Sequence, residues 1–225
     1  MLNNWRALAR FAAAAALPQR CTLCARETGR EALCAACASS IAMPASACPT
    51  CALPSPAGAA LALPCGRCLA HPPAWDAAIA AGAYRFPLDR LVMRLKYADD
   101  LPLAATLGAR LAAAADAAGA VARVDALVPL PLAPARQRQR GSNQAREIAR
   151  EVGRLTWLPI VEALRRTRHA APQATLAWRE RKANVRGAFV ACRALEGARV
   201  ALVDDVMTSG ATAAVAASTL RRAGA

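Results

Sequence analysis

The chain has 225 residues, a formal net charge of +14, 56% hydrophobic residues and only 4% aromatic ones. That length admits one α/β core and a small satellite module, built from thin alanine-rich helices rather than around large rings. The charge favours anionic partners such as phosphates, nucleotides or nucleic acid, and no apolar run reaches the roughly eighteen residues of a membrane span.

The first segment, "MLNNWRALARFAAAAALPQR", places Leu2, Trp5, Leu8, Ala9 and Ala12 at helical spacing. This predicts a short amphipathic helix over residues 1–19. A signal peptide fits less well, because Arg6 and Arg10 interrupt the apolar run and Pro18-Gln19-Arg20 is a poor cleavage site. The expected location is therefore the cytoplasm.

Eight of the nine cysteines form four Cys-x-x-Cys pairs: Cys21/Cys24, Cys34/Cys37, Cys48/Cys51 and Cys65/Cys68. Two residues between thiols let a tight turn aim both sulfurs at one tetrahedral ion, and two such turns complete a four-thiolate shell. The pattern predicts structural zinc, one or two ions, in a double ribbon over residues 20–72. A disulfide framework does not suit a reducing compartment. Successive pairs could share an ion, or the first pair could join the third; spacing leaves both open, with short separations favouring successive ribbons. "AHPPAWD" (70–76) then reads as a linker, since Pro72 and Pro73 break helix and sheet.

From residue 76 to 225 the pattern alternates strand and helix. "AAIAAGAYRF" (77–86) suggests a strand or hairpin. "PLDRLVMRLKY" suggests a helix with Leu88, Leu91, Val92 and Leu95 on one face, and a second helix runs from about Leu101 to Ala118. "VDALVPLPL" (124–132) has the composition of a buried parallel strand. "NQAREIAREVGRL" (143–155) aligns Ala145, Ile148, Ala149, Val152 and Leu155. "AFVACRAL" and "RVALVDD" read as strands, followed by a last helix ending at Gly224. Alternation of this kind predicts a parallel sheet covered by helices on both faces.

The stretch "DDVMTSGA" joins the last strand to the last helix. Ligands of open parallel sheets bind beyond the carboxyl ends of strands, where this loop falls. Successive N–H groups from Thr208, Ser209, Gly210, Ala211 and Thr212 can converge on a phosphate at a helix start. Asp204 and Asp205 can accept from adjacent sugar hydroxyls if the pleat breaks at the strand end. Paired turn or cap aspartates are the plainer alternative. Neither Gly-x-G-x-x-G nor a P-loop is present.

Three basic groups follow from the sequence: Arg136, Arg138 and Arg140; Arg165, Arg166 and Arg168; and Arg179, Arg181, Lys182 and Arg186. Singly, each reads as a solvated face; together they suit a pyrophosphate or a single-stranded backbone, with Trp178 or Tyr97 as a stacking face. Lys96 either reaches the site or snorkels at the surface. Cys192 reads as a small buried hydrophobe. A thiol nucleophile at Cys192 would need a histidine partner, and His71 and His169 lie in irregular stretches.

"VALVDDVMTSGAT" resembles the phosphoribosyl-pyrophosphate signature of type I phosphoribosyltransferases. Together with "VPLPLAPARQRQRGSNQA" (128–145), "LRRTRHAAPQATLAWRERKANVRGAF" (164–189) and the cysteine module, the chain is similar to the ComF family of competence-related proteins. The resemblance implies an α/β, type I phosphoribosyltransferase-like domain after an amino-terminal double zinc ribbon. It implies that Asp204 and Asp205 hold the ribose 2′- and 3′-hydroxyls of phosphoribosyl pyrophosphate, bound with Mg²⁺, and that Thr208, Ser209, Gly210, Ala211 and Thr212 hold the 5′-phosphate. Arg136, Arg140, Gly141, Asn143 and Gln144 would face the pyrophosphate, and Gln173, Arg181 and Asn184 would lie on a mobile segment closing over the site. It further implies a role with incoming DNA, with single-stranded DNA and competence-machinery proteins as partners. The molecule is then either a phosphoribosyltransferase or a non-enzymatic DNA-binding carrier that keeps the fold to sense a ligand. Ser209 stands where that family has threonine and Ser142 where it has phenylalanine. The family also continues into an apolar strand beyond "RRAGA", so a sheet edge is expected to be open.

Overall fold

The computed structural model describes residues 19–29, 31–42, 46–55, 63–98, 100–167 and 187–225. The predicted helix over 1–19 and the segment with Gln173, Arg181 and Asn184 lie outside the described residues, as do Arg168, His169, Trp178 and the third basic group.

Two short metal-ribbon units open the described chain, and they repeat each other closely. In the first, β1 (Gln19–Arg20) pairs antiparallel with β2 (Glu27–Gly29) around the Cys21/Cys24 turn. In the second, an Ala47–Pro54 bridge brackets the Cys48/Cys51 turn. The N–H groups of Cys21 and Cys48 donate to Arg26 and Leu53 carbonyls, and the residue after each second cysteine, Ala25 or Ala52, takes a positive φ of 59° or 56°. Each unit then enters a short helix, α1 (Ala35–Ser40) or α2 (Gly66–Ala70), with Cys34 or Cys65 at the cap. The repeat lies in backbone geometry; beyond the cysteines its sequence is hardly visible.

The α/β body begins with α3 (Leu88–Tyr97), whose Leu88, Leu91, Val92 and Leu95 are all buried, as the spacing predicts. Helix α4 (Pro102–Ala117) carries proline in its first turn, where the missing N–H costs nothing. Strand β3 (Ala126–Pro129) is followed by α5 (Pro134–Arg140) and α6 (Gln144–Thr156). Strands β4 (Leu164–Arg166) and β5 (Phe189–Ala191) precede β6 (Val200–Val203) and α7 (Ala211–Arg222). Strands β3 and β6 pair in parallel, Ala126 opposite Val200 through Pro129 opposite Val203, and Leu127 makes a further parallel bridge to Ile160.

The period-two alternation of strands divides the core between two faces. Leu127, Ala201 and Val203 join Leu91, Leu95, Leu103, Ile148 and Val152 on one side. Val128, Val200 and Leu202 join Leu164, Phe189, Ala216 and Leu220 on the other. The result is a mixed α/β body with helices on both faces of a parallel pair.

Three expectations fail. Residues 77–86 form bends rather than a strand or hairpin. Strand β5 pairs antiparallel with β4 in a two-stranded sheet of its own instead of extending the parallel pair of β3 and β6. Leu155 is exposed although it falls on the apolar spacing of α6, because it lies in the helix's last turn. No helix of the described residues is long and apolar enough to cross a membrane.

Helices α4 and α6 cross closely at Gly108, where an added Cβ would lie 2.6 Å from Glu151 Cβ and 2.9 Å from the Ile148 carbonyl oxygen. Alanine would gain about 1 kcal/mol of helix propensity, but overpacking against backbone costs about 1–3 kcal/mol. Gly108→Ala is therefore expected to lower the urea midpoint with the m-value unchanged; a rise in midpoint would mean that the crossing is looser than described.

Candidate functional site

The eight paired cysteines gather into two tetrads, Cys21, Cys24, Cys34, Cys37 and Cys48, Cys51, Cys65, Cys68, with the sulfurs of each within 4.8 Å of one another. This settles the pairing as successive ribbons. Each donor set fits a structural zinc ion. Burial raises the Cys21 thiol, but amide donors from Cys34, Cys24 and Leu23 outweigh it and bring it down to about 6. Burial also raises Cys48, and amides of Cys65, Cys51 and Thr50 bring it down to about 6. Cys37 is pushed up to about 12 by the sulfurs of Cys34, Cys21 and Cys24, and Cys68 to about 12 by burial and its own three neighbours. Four crowded sulfurs ionise together only around a cation, and four thiolates leave no open position for a reacting ligand.

The ribbons attach differently to the body. Cys21, Leu33 and Ile41 belong to the main apolar core, and Arg110 of α4 donates to the Ala38 and Ile41 carbonyls at 3.2 and 2.7 Å. The second tetrad's buried cluster consists of its own cysteines.

A second set of functional groups collects at the carboxyl ends of β3 and β6. Asp204 and Asp205 follow Val203 where pairing stops, and Asp204 Oδ1 accepts from the Asp205 N–H at 2.8 Å. Lys96, from the last turn of α3, places Nζ 2.9 Å from Asp205 Oδ1, with the two side chains only 16% and 14% exposed. Lys96 therefore reaches the site rather than the surface. Burial and the Asp205 charge push the Asp204 carboxyl up to about 7, against the lowering effects of the Asp205 amide, Lys96 and Arg166.

The loop beyond the acid pair runs through half-buried Val206 and Met207, exposed Thr208 and half-buried Ser209 to buried Gly210. Gly210 has φ +75°, a conformation that favours glycine, and opens α7 without a side chain at the cap. Ser209 Oγ accepts from the Ala211 N–H at 3.4 Å. The loop thus sets small residues and the positive end of a twelve-residue helix beside two carboxylates.

The other wall is the α5–α6 turn above β3. Gly141 ends α5 with φ +73°, and Asn143 caps α6 by accepting from the Ala145 N–H while its own amide donates to the Leu130 carbonyl. Gln144 is only 2% exposed; its amide donates to the Ser142 carbonyl and hydroxyl, and its oxygen accepts from Arg140 at 3.1 Å. Ser142 thus gives the buried amide a hydroxyl partner that phenylalanine lacks. Arg140 lies over the Tyr97 ring at 5.2 Å, so α3 links both walls, through Lys96 to Asp205 and through Tyr97 to Arg140. Arg166 lies over the Phe189 ring at 5.4 Å, and its buried Nε has no hydrogen-bond partner among the described residues. Burial, and then the charge of Arg136, lower its pKa, while Asp204 raises it, which places all three charges within mutual influence.

Sequence reasoning did not single out Arg67 or Trp75, whose contacts with the loop link residues far apart in the chain. Cys192, expected to be buried, is exposed, because it sits just past the end of β5.

Residues 12–69 match the family model described as a double zinc ribbon domain. Competence protein F of Haemophilus influenzae is 34% identical over 169 residues, covering 71% of this chain and 73% of the relative. DNA utilization protein YhgH of Escherichia coli K12 is 36% identical over 169 residues, 72% of this chain and 74% of the relative. The YhgH of Salmonella typhimurium is 33% identical over 212 residues, 91% of this chain and 85% of the relative. No solved structure matches significantly. The last of these alignments takes in most of the chain, and the chain belongs to the family of competence protein F and YhgH.

Proposed function

We infer that this chain is a type I phosphoribosyltransferase-type protein, with a ribbon domain over 20–72 and a ligand domain over 76–225, that binds phosphoribosyl pyrophosphate in the cytoplasm and serves DNA uptake. The observation that carries the reading is the meeting of the Asp204/Asp205 pair with a glycine-opened helix start at the ends of adjacent parallel strands. Asp204 and Asp205 accept from the ribose 2′- and 3′-hydroxyls, and amides of residues 208–212 hold the 5′-phosphate. Arg136 and Arg140 neutralise the pyrophosphate, with Arg140 held in place by Tyr97 and Gln144. Gly141, Asn143 and Gln144 shape the turn on the pyrophosphate side. Mg²⁺ carried on the pyrophosphate supplies charge neutralisation of a leaving group. Gln173, Arg181 and Asn184 complete the proposal on the segment outside the described residues.

In this arrangement the protein itself supplies orientation and fixed charge. Lys96 holds Asp205 in the geometry for accepting a hydroxyl proton, and the guanidinium groups oppose the charge that grows on a departing pyrophosphate. The names of the relatives, competence protein F and DNA utilization protein, support the link to DNA uptake. A second reading, a single-stranded DNA carrier working with competence proteins, draws on exposed Tyr84, Phe86 and Tyr97 beside Arg85, Arg90 and Arg94.

The deciding experiment titrates the zinc-loaded protein by calorimetry with phosphoribosyl pyrophosphate and Mg²⁺, and separately with single-stranded DNA across a salt series. Saturable sugar-phosphate binding is expected, and pyrophosphate release with a nucleobase present identifies turnover. A steep salt slope for DNA, with no sugar-phosphate binding at millimolar concentration, would leave the carrier reading in its place.

A further inference from the structure

The second ribbon lies directly on the loop that opens α7. Trp75 covers Gly210: a Cβ added there would sit 2.9 Å from Trp75 Cη2. The indole is fixed from the ribbon side, because its Nε1 donates to the carbonyl of Thr50, inside the Cys48/Cys51 turn, at 2.5 Å. Arg67, between Cys65 and Cys68, donates Nη1 to the Ser209 carbonyl at 3.4 Å. Arg221 of α7 closes the arrangement with a 2.6 Å ion pair to Asp76.

The loop needs such support. Between Asp205 and α7 its bulky side chains are Val206 and Met207, and residues 208–210 bring only two hydroxyls and a glycine to pack with. A segment this small does not fix the direction of its own amides, so any ligand that uses them must supply the ordering. A ring over Gly210 and a donor on the Ser209 carbonyl impose that order beforehand, and preorganisation is gained as affinity.

We propose that Trp75 and Arg67 are positioning residues through which the second ribbon holds the 206–210 loop in its anion-binding shape. The claim about affinity rests on the phosphate reading of that loop; the claim about restraint does not. Linkage makes the effect reciprocal, so an anion on the loop also stabilises the second ribbon.

The test measures hydrogen exchange of residues 204–212, without ligand, in zinc-loaded wild type, Trp75→Ala, Trp75→Phe and Arg67→Ala. Exchange is expected to rise roughly 3- to 30-fold in Trp75→Ala, the range typical of mutations that alter coupling. The rise should be smaller in Trp75→Phe, which keeps a ring but loses the bond to Thr50, and in Arg67→Ala, which replaces an exposed side chain whose loss spares the fold. Zinc content, read by thiol displacement into a colorimetric chelator, should stay at the wild-type level. Unchanged loop exchange in Trp75→Phe and Arg67→Ala, with zinc retained, overturns the proposal even if Trp75→Ala does not fold. The second arm titrates ribose 5-phosphate, whose affinity should fall in step with the rise in exchange. Faster exchange with wild-type affinity overturns the link to anion binding. Faster exchange in a protein whose wild type binds no ribose 5-phosphate overturns the phosphate reading and upholds the restraint.

Discussion

Replacing Asp204 and Asp205 together by asparagine is expected to abolish binding of phosphoribosyl pyrophosphate while the protein stays folded. At pH 8, above the Asp204 value of about 7, hydrogen bonds to a charged acceptor contribute about 1.5–3 kcal/mol each, so losing two weakens binding by ~100-fold or more. Single-stranded DNA should bind equally well or better, because two negative charges leave a chain of net charge +14. The single change Asp204→Asn separates folding from binding. Burial and the neighbouring Asp205 charge raise the Asp204 carboxyl from 3.8 to about 7 in the folded protein, so its ionised form is disfavoured there. The contribution of this group to stability is fully present below its unfolded value and is lost as pH rises through about 7. At pH 8 Asp204→Asn should thus melt above wild type, with a stability gain on the order of 4 kcal/mol, and the difference should shrink as pH falls toward 4. Calorimetric titration and melting curves at several pH values read both effects. Wild-type affinity in the double variant would remove the acid pair from the site.

What the sequence reveals and what it conceals divide along local and non-local chemistry. Cys-x-x-Cys spacing is local, and it locates all eight ligands. The apolar faces of α3 and α6 follow from a 3.6-residue period, and four of the five aligned residues of α6 are buried as that period requires. The pairing of β5 with β4 is different, because no periodicity says which strand an apolar segment will meet. Residues 77–86 are apolar yet irregular: they carry Gly82 with φ +159° against Leu88 and Ile41, and fill space between a ribbon and α3 instead of pairing. The candidate site shows the same division. Asp204, Asp205 and the loop are contiguous and legible as a unit. Lys96 and Tyr97, Arg166, and Trp75 come from three other parts of the chain and meet the site only through packing. Lys96 in particular sits at the end of an amphipathic helix, where a surface lysine would look the same in sequence.

The two metal ribbons, alike in backbone, are expected to differ greatly in what their loss does. Structural zinc contributes about 10–16 kcal/mol to a site that does not otherwise form. In the first ribbon that energy is coupled to the whole body, since Cys21, Leu33 and Ile41 pack in one core with Leu88, Leu91 and Leu95. Arg110, whose buried Nε lacks a partner among the described residues, also depends on the Ala38 and Ile41 carbonyls to satisfy its other donors. Cys34→Ser should therefore strip one metal, expose that face of the core and abolish a cooperative urea transition of wild-type amplitude. The second ribbon's cluster contains only cysteines, so Cys65→Ser should lose one zinc and yet keep the main transition within about 1–2 kcal/mol of wild type, the range of an ordinary point substitution. Zinc stoichiometry, with urea unfolding followed by far-ultraviolet circular dichroism, measures both variants. Equal damage from the two substitutions would show that the ribbons act as one folding unit and that the shared core of the first does not set it apart.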